Sequence, residues 1–142
     1  MKSFLKIGSL QKFIQSEGPI ENFSSDMFEI DEIHKIAILD LRMLNLDRNE
    51  CNILVQIIEE DMDVKDMLSL DTDYQPKLMR KLIPIDHGLS IPDTLALCSY
   101  DLIWLSYSQA EQPFSAKSLA YIADIDIMAD IKMLEDHFKF RP

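Results

Sequence analysis

The sequence predicts a mainly helical α+β fold, and three observations support it. Glycine occurs only three times, too rarely for a protein built from tight hairpins. Apolar residues recur at helical spacing over 30–44 and again over 127–138. One pair of short apolar runs, Ile53–Ile58 and Lys81–Ile85, reads as the two strands of a hairpin. A chain of 142 residues, 47% hydrophobic and 27% charged, is the length and mixture of one domain. It buries roughly two-thirds of its unfolded surface without staples, so residues 1–142 are read as one unit.

The elements follow in order. Ser9 to Ile14 reads as a short helix, broken at Ser16-Glu17-Gly18-Pro19, where Gly frees the backbone and Pro removes a donor. Ser24, Ser25 and Asp26 offer helix N-caps. From about Asp31 the residues Ile30, Ile33, Ala37, Leu41 and Leu44 fall near one face, with Ile36 and Met43 beside it, which predicts a buried helix ending near Leu44. Asn45–Asn52 is polar apart from Leu46 and Cys51 and reads as a charge-rich loop. After the first strand, residues 59–73 carry seven acidic side chains and one Lys. They read as an exposed excursion, since the Gly and terminal Glu of an EF-hand are missing. Pro84 confines the returning strand to an edge or a strand end. Ser90 to Leu97 is loop-like, and Asp101 to Tyr107 reads as a short helix carrying Trp104. Ser115 stands where an N-cap belongs. Ile127, Ile131, Leu134 and Phe138 define the last helix, with Asp124 and Asp126 at its positive end. Trp104 and Phe114 are read as core anchors, the eight Met as gap-fillers and Cys51 as a small buried filler. His34 is read as structural, His87 as a loop brace and His137 as helix surface.

Charge and composition exclude several functions. Fourteen basic against 25 acidic residues give a net charge of −11, so no positive field exists to collect nucleic-acid phosphates. The same balance opposes binding to anionic membranes by charge alone. Cys51 and Cys98 make neither a disulfide framework nor a zinc spacing. The first eight residues are too short and too charged for a signal h-region, and no apolar run reaches membrane-spanning length. The expectation is a soluble, cytoplasmic protein that meets membranes, if at all, at the periphery.

Two polar islands end apolar elements: Asp47-Arg48-x-x-x-Asn52 and Asp86-x-Gly88. Phosphoryl transfer uses such a pair. One carboxylate orients the attacking hydroxyl and takes its proton, while an amide oxygen and a second carboxylate hold Mg²⁺ on the nucleotide phosphates. The kinase pattern sets the catalytic Asp five residues before the metal-binding Asn, with a later Asp-x-Gly turn, and Asp47 to Asn52 is five residues. Alone, that spacing reads rather as a capping Asp and a turn Asn. The two islands in order, with strands between them, favour the phosphotransfer reading.

Three stretches carry a family resemblance: His34-Lys35-Ile36-Ala37-Ile38-Leu39-Asp40-Leu41-Arg42, Asn45-x-Asp47-Arg48-x-x-x-Asn52-Ile53-Leu54-Val55, and Leu82-Ile83-Pro84-Ile85-Asp86-His87-Gly88. Together they resemble the C-terminal lobe of the phosphatidylinositol 3/4-kinase family, most of all the plant gamma-type phosphatidylinositol 4-kinases. Gly8-Ser9-Leu10-Gln11-Lys12-Phe13, Trp104-Leu105, Ser108-Gln109-Ala110 and Gln112-Pro113-Phe114-Ser115 add to it, so the likeness runs over about residues 7 to 138. It implies a protein kinase-like C-lobe of helices plus a small β-hairpin. It implies ATP and Mg²⁺ as cofactors and a phosphoinositide lipid or a protein as substrate. By the same resemblance Asp47 is the catalytic aspartate, Arg48 braces its loop, and Asn52 and Asp86 ligate Mg²⁺. Leu54 and Ile85 lie against the adenine, and Asp86 to about Leu95 begins the activation loop.

The sequence departs from that family in two places. Asn49 stands where the family usually has His after the Asp-Arg pair, a residue often assigned near the transferred phosphate. Type II lipid kinases of the wider group lack that His too. In addition, only seven residues precede Gly8, so no Gly-rich phosphate loop, phosphate-pairing Lys or partner Glu is in place upstream. The expectation is half an active site with the N-lobe absent. The surface facing the missing lobe then invites self-association. Three functions compete: a phosphatidylinositol 4-kinase-like phosphotransferase inactive as this piece alone, a protein Ser/Thr kinase, and a non-catalytic binding module.

Overall fold

A computed structural model describes residues 11–59, 78–92 and 100–138. Ser9, Leu10, the acidic stretch from Glu60 to Asp73, the part of the expected loop from Asp93 to Leu97, and Cys98 lie outside the described residues. The spine is helix α1, Ile30–Met43. The pattern locates it to within a residue or two, and Leu44 ends it in the left-handed conformation (φ 46°, ψ 47°) with its N–H bonded back to Asp40 and Leu41. Strands β3 (Ile53–Glu59) and β4 (Leu78–Pro84) pair antiparallel in the register Ile53↔Pro84 to Glu59↔Leu78. Strand β1, Gly18–Pro19, adds to the other side of β3, so β4 is an edge among the described residues and Pro84 its last residue, as a missing donor requires. Two further short strands, β2 (Asp47–Arg48) and β5 (Asp101–Leu102), pair in parallel.

Period-two alternation puts Ile53 and Val55 fully inside while Leu54 and Gln56 stay half-buried. With Ile20, Phe28, Ile33, Ile36, Ala37, Leu82 and Trp104 they form one apolar core between α1 and the hairpin. Each fully buried aliphatic side chain contributes about 1.5–3 kcal/mol. Two polar ties fix the layers. Glu32, buried on α1, accepts the Leu82 N–H at 2.9 Å. The Gln109 amide donates to the Phe28 carbonyl at 3.1 Å, and the Gln109 carbonyl accepts from His34 Nε2 at 2.9 Å. His34 is therefore structural. Helices α2 (Ala116–Ala123) and α3 (Ile127–Phe138) complete the described fold. Ser115 caps α2, its Oγ accepting the Ser118 N–H at 3.2 Å, and the Ala129 N–H bonds Asp126 Oδ1 at 3.0 Å where α3 begins. Arg42 ties both helices to α1 through a two-pronged bond to Asp130 and a 2.7 Å bond to the Tyr121 hydroxyl.

Several expectations need correction. Gln11–Ile14 is not helical, because Glu17–Pro19 is drawn into strand pairing with Val55 and Leu54. Ser24 flanks a short 3₁₀ turn (Ser25–Met27) rather than α1, whose first turn follows Glu29. The buried face of α1 is also rotated. Leu41 is 61% exposed, and Ile30 and Leu44 are exposed too, while His34 and Asp40 are inside. The residues from Asp101 to Tyr107 divide into β5 and a 3₁₀ turn, Ile103–Ser106. Trp104 is a core anchor, but Phe114 is exposed and covers the His34 ring at 4.6 Å between centroids. Cys51 is exposed, as are Met27, Met128 and Met133, so none of these four fills a gap. His137 lies on the helix surface. Among the described residues no helix is long and apolar enough to cross a membrane.

Candidate active site

The site begins with a carboxylate in an apolar stripe. Asp40 follows Ile33, Ile36 and Ala37 on the inner face of α1 and is 2% exposed. A charge so placed needs partners, because burying it alone costs far more than one helix contributes. It has three. Oδ2 accepts the Trp104 indole N–H at 3.0 Å, and Oδ1 accepts the Asn45 amide at 3.0 Å. The third partner is Arg48, 0% exposed, whose Nε and Nη2 meet Oδ1 at 3.0 and 2.9 Å.

The rest of that guanidinium ties the two polar islands together. Nη1 donates to the Asn52 carbonyl at 2.9 Å and to the Ile85 carbonyl at 2.5 Å. Nη2 also reaches His87 Nδ1 at 3.0 Å. The Asn52 carbonyl accepts the Ile85 N–H as well, at 2.9 Å. Arg48 thus fastens residues 47–52 to residues 85–87 across the base of the hairpin. Five donors in a fixed fork suit this task, and Lys could not replace it.

Of the six residues expected at the site, Arg48 is the fork itself, and it gathers Asp47, Asn52, Ile85 and Asp86 around it. The Asn52 side-chain amide donates to the Asp47 carbonyl at 2.9 Å, and the short 3₁₀ turn Glu50–Asn52 sets Asn52 beside Asp47. Asn52 Oδ1 has no hydrogen bond among the described residues. Asp86 has a φ of 49°, a left-handed conformation that Asp tolerates better than most residues, and its Oδ1 accepts the Gly88 N–H at 3.1 Å. A Cβ on Gly88 would meet that oxygen at 3.2 Å, which is why glycine suits the turn. Asp86 is exposed, with Oδ2 without a hydrogen bond among the described residues. Hard oxygens from one amide and one carboxylate fit Mg²⁺, which takes few protein ligands and shares itself with phosphates. Leu54 and Ile85 are half-buried next to the islands, on β3 and just after β4.

His87 braces the second island in one protonation state only. Arginine has no acceptor, so Nδ1 accepts and the ring proton sits on Nε2. Partial burial and then the Arg48 charge hold its pKa below the ordinary 6.5, with Asp40 and Asp86 opposing. The unfolded chain therefore binds the proton more tightly. Stability from this group is complete above about pH 6.5 and declines as pH falls toward the lower folded value. The expected result is a larger drop in unfolding midpoint between about pH 7.5 and about pH 5.5 for the wild type than for His87→Gln, whose amide oxygen can still accept from Arg48. Equal drops would remove His87 from the brace.

Asp40, Asn45 and Trp104 as a set, and the Asn49 contact to Asp47, are not apparent from spacing. One signal was available: an acidic residue three after Ala37 and four after Ile36, within a buried stripe, demands a cation, and Arg48 is the basic residue of the adjoining island.

The chain matches the family model "Phosphatidylinositol 3- and 4-kinase" over residues 1–139. It is 36% identical over 132 residues to phosphatidylinositol 4-kinase gamma 2 of Arabidopsis thaliana, covering 93% of this chain and 20% of that protein. It is 39% identical over 132 residues to phosphatidylinositol 4-kinase gamma 4 of Oryza sativa subsp. japonica, with the same coverage. Phosphatidylinositol 4-kinase gamma 1 of Arabidopsis thaliana is 34% identical over 137 residues, covering 96% of this chain and 22% of that protein. The chain thus spans about a fifth of the length of the curated relatives it matches. No solved structure gives a significant match.

Proposed function

The chain belongs to the phosphatidylinositol 3- and 4-kinase family, and on that premise we propose that it carries the C-lobe half of a site that transfers the ATP γ-phosphoryl group to an inositol hydroxyl. One observation carries this reading: the buried Arg48 fork that joins the Asp47–Asn52 island to Ile85 and the Asp86–Gly88 island after it. A solvated loop has no need of a desolvated guanidinium bridging two polar segments 37 residues apart. The substrates of the curated relatives, as their names state them, are phosphatidylinositols.

In this reading the Asp47 carboxylate receives the acceptor's proton as the acceptor oxygen bonds to the γ-phosphorus. The bond from that phosphorus to the bridging oxygen breaks, and ADP leaves with the electron pair. Asn52 Oδ1 and Asp86 would hold Mg²⁺, which would supply charge neutralisation at the phosphates. Leu54 and Ile85 offer apolar surface beneath the adenine, and Arg48 holds these parts in register. The protein also self-associates through exposed apolar surface, which sedimentation at rising concentration would reveal. The protein works in the cytoplasm, at the periphery of the membrane that holds its lipid.

The test uses the protein at its native length with ATP and Mg²⁺. Phosphoinositide vesicles should be phosphorylated and a soluble protein acceptor ignored. The reverse preference would replace the lipid reading by a protein kinase. Transfer to neither would sink the phosphotransferase reading and leave a binding module.

A further inference from the structure

Asn49 lies between Arg48 and the 3₁₀ turn that carries Asn52, and it is half-buried. Its Oδ1 accepts the Cys51 N–H at 2.9 Å, and its Nδ2 donates to Asp47 Oδ1 at 2.8 Å. The two contacts determine each other. A backbone N–H requires an oxygen, so the amide oxygen faces Cys51 and the amide nitrogen faces Asp47. The same planar group therefore caps the turn beneath Asn52 and holds one oxygen of Asp47. Resting on the phosphotransferase reading above, we infer that Asn49 is a positioning residue for Asp47, occupying Oδ1 and leaving Oδ2 to receive the acceptor's proton.

A donor to a carboxylate is among the stronger neutral-to-charged hydrogen bonds, and it fixes a rotamer that would otherwise be free. Proton transfer depends on that orientation, because the acceptor hydroxyl must lie within hydrogen-bond reach of the free oxygen. Asn49 itself adds no charge at the transferred phosphoryl group. Its contribution passes through Asp47. The thiol of Cys51 is exposed and directed to Glu21 Oε1 at 3.6 Å, and it takes no part.

The competing account is that Asn49 only caps the turn. Asn49→Asp separates the two. It is nearly isosteric and keeps an oxygen for the Cys51 N–H, and Asp caps as well as Asn. It removes the donor to Asp47 and sets a second carboxylate in its place. Positioning predicts that kcat falls by at least about tenfold while the ATP KM stays within about twofold and the unfolding midpoint is kept. Asn49→Ser, which also keeps a capping oxygen, should lower kcat without the added charge. Wild-type kcat in both variants would overturn the inference. A second readout needs no activity. In ¹⁵N spectra the Asn49 side-chain amide should shift when Asp47 is changed to Ala. An unmoved signal would overturn the contact even in an active kinase. A shifted signal in a protein that phosphorylates nothing would mean the contact stands and the phosphotransferase reading, with the positioning role, falls.

Discussion

Asp40→Ala is expected to destabilise the protein by about 3–5 kcal/mol, because it leaves a buried guanidinium unpaired. Total stability of a domain this size is about 5–15 kcal/mol, so the variant should unfold at much lower urea than the wild type. The size of the effect follows from burial. Arg48 is 0% exposed and its pair with Asp40 has no solvent to replace it. The Trp104 indole and the Asn45 amide lose their acceptor in the same substitution. The double change Asp40→Leu, Arg48→Met should recover the part of this loss that comes from the unpaired guanidinium, since a buried ion pair exchanged for apolar side chains is often neutral or better, while the Trp104 indole and the Asn45 amide stay without their acceptor. It should not recover function. The carbonyls of Asn52 and Ile85 would lose their shared donor, and the two islands would lose the group that binds them. Stability and activity thus separate: the single variant loses both, and the double regains part of the first and none of the second. A cost below about 1 kcal/mol for Asp40→Ala would mean that the pair is solvated and that Arg48 is not the anchor of the site.

The sequence makes visible what periodicity controls. Helices α1 and α3, the β3–β4 hairpin, Pro84 at a strand end and the Ser115 cap all follow from spacing or from a single residue's local chemistry. What it hides depends on distant partners. The buried face of α1 is set by where Asp40 must go, and Asp40 goes inward because Arg48, Asn45 and Trp104 meet it there. Counting apolar residues alone therefore rotates the helix and buries Leu41, which is exposed. Two-residue strands such as β1 and β2 have no period to read and exist through their partners. Cys51 is apolar enough for a core, yet the turn capped by Asn49 sends it outward. Of the candidate site, the two polar islands and their order are legible from residue type and spacing. The guanidinium that joins them is legible only as a loop brace.

Asp47→Asn is expected to lower kcat by about 10²–10⁴ with little change in the ATP KM or the unfolding midpoint. The contacts that hold residue 47 survive the change. The Asn52 amide bonds its backbone carbonyl, and Asn49 can donate to an amide oxygen as it does to a carboxylate. Only the proposed proton acceptor is lost. A structural role would give the opposite result. The bond from Asn52 Nδ2 to the Asp47 carbonyl is also what a turn Asn would make, so geometry alone is shared by the two accounts. If Asp47 served only to start the turn, Asn would serve as well and kcat would be unchanged. Asp86→Asn provides the contrast within the same assay. It removes charge from a proposed Mg²⁺ ligand rather than a base, so its lost activity should return in part as Mg²⁺ is raised, whereas that of Asp47→Asn should not. Recovery of Asp47→Asn by Mg²⁺ would make residue 47 a metal ligand and move the proton acceptor elsewhere in the site.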